Sequence, residues 1–228
     1  VFDEPFSSLD LFGVQQVLRQ ILALKNTGHT LLVSTHDLDK IIAHAELYMG
    51  LVEIGVGLLP AGGGCLNLWK KYLSAIPEAV KDADLGKFFL PVLMNIAMAK
   101  VSTSAADARA NGFLGPNDRI VFNRDHLIGE SKKEVLKMLD DGYAPPVKGK
   151  IKVLGQAAQG MVAAQISDMA NGGFVSEYDA YLAGRIAYVI SGGDVRTNSQ
   201  VDEELILQLE REAFIDFWKE EKTIARVE

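Results

Sequence analysis

The sequence predicts an α/β chain, with a short parallel sheet at its N-terminal end and a mostly helical C-terminal region. Three observations carry this expectation. Residues 1–37 read strand, helix, strand. Residues 50–65 are a glycine-rich loop. From residue 66 onward helical periodicities follow one another, several opened by residues at capping-box spacing.

In order along the chain, Val1-Phe2-Asp3-Glu4 is strand-like. Asp10 can cap a helix that runs to Leu24, with Leu18, Ile21, Leu22 and Leu24 on its apolar face. Asn26-Thr27-Gly28 ends that helix, and the apolar, β-branched run 30–34 reads as a buried parallel strand. Past the glycine-rich loop, 66–75 and 85–100 are helical. Ser104 and Asp107 form a capping box for a short helix stopped by Gly112. Ser131 and Glu134 form a second box, ahead of Val135, Leu136 and Leu139. Pro145, Pro146 and Gly149 make 143–152 a linker-like crossing. Ser176 caps a helix with Tyr178, Leu182, Ile186 and Val189 in register, ended by Gly192-Gly193. The last helix spans 201–218, with Leu205, Leu209, Ala213 and Phe217 in register.

The bulk numbers exclude several classes. The chain has 228 residues and a net charge of −7, with no clustered basic face, so no nucleic-acid partner is expected. The most apolar stretch, 50–65, contains Glu53 and Pro60 and is too short and broken to span a membrane. No basic run followed by an apolar core marks a signal peptide. The single cysteine, Cys65, cannot form an internal disulfide, which points to a reducing cytoplasm, and it reads as a small buried apolar residue. The chain opens on Val within a strand-like run, so its beginning is expected to be missing. His29 reads as a turn residue, and His44 and His126 lack partners at metal spacing.

Two stretches resemble known families. Val1-Phe2-Asp3-Glu4-Pro5-Phe6-Ser7-Ser8-Leu9-Asp10, followed by Leu32-Val33-Ser34-Thr35-His36-Asp37, is similar to the Walker B strand, D-loop and switch-histidine strand of ABC-transporter ATPases. That resemblance implies that Asp3 would hold Mg²⁺, Glu4 would orient the attacking water, His36 would touch the γ-phosphate, and Asp10 would signal across a dimer. No Gly-x-x-x-x-Gly-Lys-Ser/Thr and no Leu-Ser-Gly-Gly-Gln occurs in the chain, so these nucleotide and metal roles are vestigial and no ATP site is expected.

Glu46-Leu-Tyr-Met-Gly50-Leu-Val-Glu53-Ile-Gly-Val-Gly57-Leu-Leu-Pro60-Ala-Gly-Gly-Gly64 resembles the second half of a crotonase (ClpP/crotonase fold) enoyl-CoA hydratase domain. Closest are the bifunctional 3-hydroxyacyl-CoA dehydrogenase/enoyl-CoA hydratase proteins of fatty-acid β-oxidation. Lys100-Val-Ser-Thr-Ser-Ala105, Asn111-Gly-Phe-Leu114, Val175-Ser-Glu-Tyr-Asp179 and Tyr188-Val-Ile-Ser-Gly-Gly-Asp194 agree with it. The resemblance divides the chain into 1–38, ABC-like; 39–145, crotonase-like core; and 146–228, helical.

The crotonase resemblance implies syn hydration of a 2-enoyl-CoA thioester. Glu53 falls where one of two catalytic glutamates lies. Gly50, Leu58, Pro60, Gly62 and Gly63 are implied to line the acyl site. Read by itself, Glu53 stands in an apolar run, where partial burial raises a carboxyl pKa. The family's other glutamate and both oxyanion-hole donors fall upstream of the match, where the ABC-like piece stands, so the chain alone is expected to be inactive. Hydration needs no cofactor. The partner is an acyl-CoA thioester, and NAD enters only if the full-length parent carries a dehydrogenase domain. Gly55-x-Gly57 is followed by Pro60, not by the third glycine of a dinucleotide fingerprint. The resemblance further implies a homo-oligomer, assembled through the helical C-terminal region. Lys148, Lys150 and Lys152 read as a solvated face. At the join, Asp37, Leu38 and Ala43 favour a helix, whereas Ile41-Ile42 and the need for a sheet partner favour a strand over 40–44 beside 30–34; the strand is the expectation.

Overall fold

In the computed structural model, the described residues are Phe2, Asp3, Val33, Ser34, Ile42–His44 and Met49–Val227 apart from Glu78, Lys81 and Pro146. The chain divides into two compact units, 1–40 and 41–228. In the first, β1 (Phe2–Asp3) pairs in parallel with β2 (Val33–Ser34), Phe2 opposite Val33. The helix expected between them lies outside the described residues.

The second unit begins with β3 (Ile42–His44), so the ambiguous join is extended there. Its partner is β4 (Arg119–Val121), in parallel with Ile42 opposite Arg119, and not the 30–34 segment, whose described part pairs with β1. Context overrides helix propensity here because three residues make too short a helix nucleus to hold against a ladder of backbone bonds. A further pair, β5 (Lys150–Lys152) and β6 (Gln200–Asp202), is antiparallel. This corrects two expectations. The sheet within the helical region is antiparallel, and the crossing at 143–152 is partly strand, because Ile151 and Val201 bury opposite each other. Among the described residues every sheet has two strands.

Helices supply the core. They are α1 (Gly64–Ser74), α2 (Gly86–Ala97), α3 (Ala105–Ala110), α4 (Leu127–Asp140), α5 (Gln156–Asn171), α6 (Glu177–Ile190), α7 (Glu203–Trp218) and α8 (Glu221–Val227). α6 is central and packs on α1, α2, α5 and α7. Tyr178, Leu182, Ile186 and Val189 are all buried, as their register predicts. Trp69 of α1 meets Phe89 of α2 edge to face, with centroids 5.8 Å apart, and its indole N–H donates to the Lys152 carbonyl at 3.0 Å. Ser104 and Ser176 cap α3 and α6, each accepting from the backbone N–H three residues on.

Two local expectations are corrected. Ser131 is not a cap. A 3-10 turn at Arg124–His126, opened by the Asn123 side chain, leads directly into α4, and the Ser131 hydroxyl donates back to the Leu127 carbonyl at 2.8 Å. α5 has no counterpart in the sequence reading, because its Ala- and Gln-rich run buries only Ala158 and Val162 and so shows little apolar period.

Candidate functional site

Glu53 opens a 3-10 turn, Glu53–Val56, which Gly57 ends in the left-handed conformation at φ 80°. Its residue is half-buried, with Ile54 buried behind it and Leu58, Leu59 and Pro60 buried after it. The apolar run therefore folds under the glutamate instead of flanking a strand. Gly50 lies upstream, bridged antiparallel to Val101. A Cβ on Gly50 would come within 2.5 Å of the Lys100 carbonyl oxygen, which explains the glycine.

The loop then enters α1 through Gly62 and Gly63, at φ 80° and 106°. No side chain of the loop caps the helix, so its first N–H groups must find an acceptor elsewhere. The acceptor is Glu210 of α7, which is 0% exposed. Its carboxylate accepts from Gly63 N at 2.5 Å and Leu66 N at 2.8 Å, while the Cys65 N–H donates to the Pro60 carbonyl at 3.4 Å. Burial drives the Glu210 pKa up to about 7, against the lowering pull of the backbone N–H groups around it and of the Arg211 charge. Cys65 is fully buried nearby. Burial first, then the charges of Glu210 and Glu53, push its thiol well above the ordinary range, so it stays protonated and is no nucleophile.

The sequence reading missed Glu210, although a signal existed. Ile206, Glu210, Ala213 and Phe217 form the buried stripe of α7, so a glutamate occupies an apolar register position. Leu205 and Leu209, expected on that stripe, flank it and are partly buried.

The last helix closes on the glutamate's turn from the other side. Thr223 of α8 is 1% exposed and donates its hydroxyl to the Gly57 carbonyl at 2.8 Å. That uses its one proton, so the Tyr178 hydroxyl, 2.5 Å away, donates to Thr223 Oγ1. Arg226 donates through Nη1 to the Ile54 carbonyl at 3.2 Å and through Nη2 to Asp179 at 2.8 Å, and its guanidinium lies 5.1 Å over the Tyr178 ring. The Ser176 hydroxyl and Arg226 together hold the Asp179 carboxyl below its ordinary range.

Compared with known proteins, the chain is 40% identical over 189 residues, 83% of its length, to a probable 3-hydroxyacyl-CoA dehydrogenase of Bacillus subtilis (strain 168). It spans 23% of that protein's length. No family model and no solved structure matches the chain.

The structure thus brings Glu53, Leu58, Pro60, Gly62 and Gly63 into one continuous segment held by α7 and α8. Of the vestigial nucleotide residues, Asp3 is on β1, while Glu4, Asp10 and His36 lie outside the described residues. Among the described residues no cluster of His, Cys, Asp and Glu could hold a metal, and no helix is long and apolar enough to cross a membrane. Gly55 lies in the 3-10 turn and Gly57 ends it, so neither stands at a strand-to-helix turn. Lys148, read as solvated, is exposed and meets Glu204 at 3.4 Å.

Proposed function

We propose that residues from about 39 onward are the second half of an enoyl-CoA hydratase-type domain of a β-oxidation protein. The observation that carries this is the similarity to a probable 3-hydroxyacyl-CoA dehydrogenase, with Glu53 half-buried at the start of its turn. In hydration, water adds at the β-carbon of the enoyl thioester while charge develops on the thioester oxygen, and a carboxylate takes and returns the proton. Glu53 is the group here that moves a proton. Leu58 and Pro60 shape an apolar wall that limits competing water, and the Gly62-Gly63 turn brings backbone close to the acyl chain. NAD enters only if the full-length parent carries a dehydrogenase domain.

The thioester oxygen needs two N–H donors, and the resemblance puts these upstream of the matched segment. Each missing donor costs on the order of 10²–10³ in rate, so the chain alone binds acyl-CoA without turning it over. The test is a titration with crotonyl-CoA, paired with loss of enoyl absorbance. Saturable binding that free crotonate does not reproduce, without hydration, is the expected result. No binding overturns the assignment, and turnover above about 1 s⁻¹ overturns the half-site account.

A further inference from the structure

The turn that carries Glu53 is held by bonds reaching across almost the whole unit. Two of its carbonyls, Ile54 and Gly57, accept from Arg226 and Thr223, residues 172 and 166 positions away in sequence. Gly57 fits no larger residue, because a Cβ there would sit 2.5 Å from Thr223 Oγ1. Thr223 is in turn fixed by Tyr178, and Arg226 by Asp179 and by the face of the Tyr178 ring. A 3-10 turn of four residues has poor internal hydrogen-bond geometry, so its shape depends on what packs against it.

We infer that Thr223 and Arg226 are positioning residues for Glu53: α8 clamps the carbonyls of its turn and so sets where the carboxylate presents itself to an acyl thioester. This rests on the hydratase reading for the substrate, but the clamp itself does not. Neither side chain touches the acyl site residues Leu58 to Gly63 through any of these bonds, and both act through backbone.

The experiment has two arms on the full chain. In the first, the Glu53 carboxyl carbon is observed by NMR across a pH titration in wild type, T223V, T223S, R226Q and D179N. Thr223→Ser keeps the hydroxyl donor, and Asp179→Asn keeps an amide oxygen that accepts from Arg226 Nη2 and so holds Arg226 on the Ile54 carbonyl, so both should titrate as wild type. Thr223→Val and Arg226→Gln each remove a turn bond and should move the Glu53 signal and its midpoint. In the second arm, crotonyl-CoA affinity should fall about tenfold in T223V and R226Q, the worth of one such bond, and stay near wild type in T223S and D179N. If T223V and R226Q lower the melting temperature yet leave the Glu53 titration unchanged, the clamp is merely structural and the inference is overturned. If wild type binds no crotonyl-CoA, the hydratase reading fails and the NMR arm still decides the clamp.

Discussion

Replacing Glu210 by Gln should reverse its effect on stability between acid and alkaline pH. In the unfolded chain a glutamate titrates near 4.5, whereas in the folded chain Glu210 titrates near 7. The folded pKa is raised, so the folded state binds the proton more tightly. The associated stability is fully present below about pH 4.5, declines as pH rises through the window, and is gone above about pH 7. A gap of about 2.5 in pKa, at about 1.4 kcal/mol for each, makes the change about 3 kcal/mol. The group is fully buried, so solvent screening does not reduce it. The charge that acts on it is that of Arg211 on its own helix, and the neighbouring Cys65 thiol stays protonated.

A glutamine resembles the protonated acid, with one carbonyl acceptor and a donor in place of the hydroxyl. It carries no charge at any pH. Every other titrating group is shared with wild type and cancels in the difference. Urea denaturation at pH 5, 6, 7 and 8, followed by fluorescence of buried Trp69, should therefore give E210Q equal to or less stable than wild type at pH 5. By pH 8 the difference should have moved in the variant's favour by about 2.5 kcal/mol, the part of the change that falls above pH 5. Glu210→Ala, which leaves the Gly63 and Leu66 N–H groups without their acceptor, should lose about 3 kcal/mol or more at both ends of the range. A pH-independent difference between E210Q and wild type would refute the reasoning.

Two further outcomes are expected. The helical C-terminal region should self-associate, since Ile215 and Trp218 leave half or more of their surface exposed, at 51% and 57%; light scattering that finds monomer alone at tens of micromolar would count against it. The 1–38 segment should not bind ATP, because no phosphate loop occurs in the chain; a fluorescent ATP analogue with Mg²⁺ should show no saturable micromolar binding, and binding lost in an Asp3 variant would contradict this.

Much of the candidate site was legible in the sequence because its parts are contiguous. Glu53, Pro60 and the glycines through Gly64 lie within a dozen residues, and a carboxylate inside an apolar run stands out without any structure. The Ser104 and Ser176 caps and the α6 stripe were legible for the same reason, since capping and helical period act over three or four residues. Ser131 shows the limit of that logic: a capping box is a local possibility, and the Asn123 turn upstream captured the helix start first.

The sequence by itself determined where helices form in most of the second unit, and it set Glu53 apart as a carboxylate inside an apolar run. Only the tertiary structure decided what holds that residue. The cap on α1 comes from 147 positions away, and the clamp on the Glu53 turn from 166 and 172. The register of α7 puts Glu210 on the buried stripe, and its partners on the α1 loop appear only once α7 is docked. The Glu210 pKa near 7 then follows from burial, a property of the whole packed unit that no local window of sequence contains.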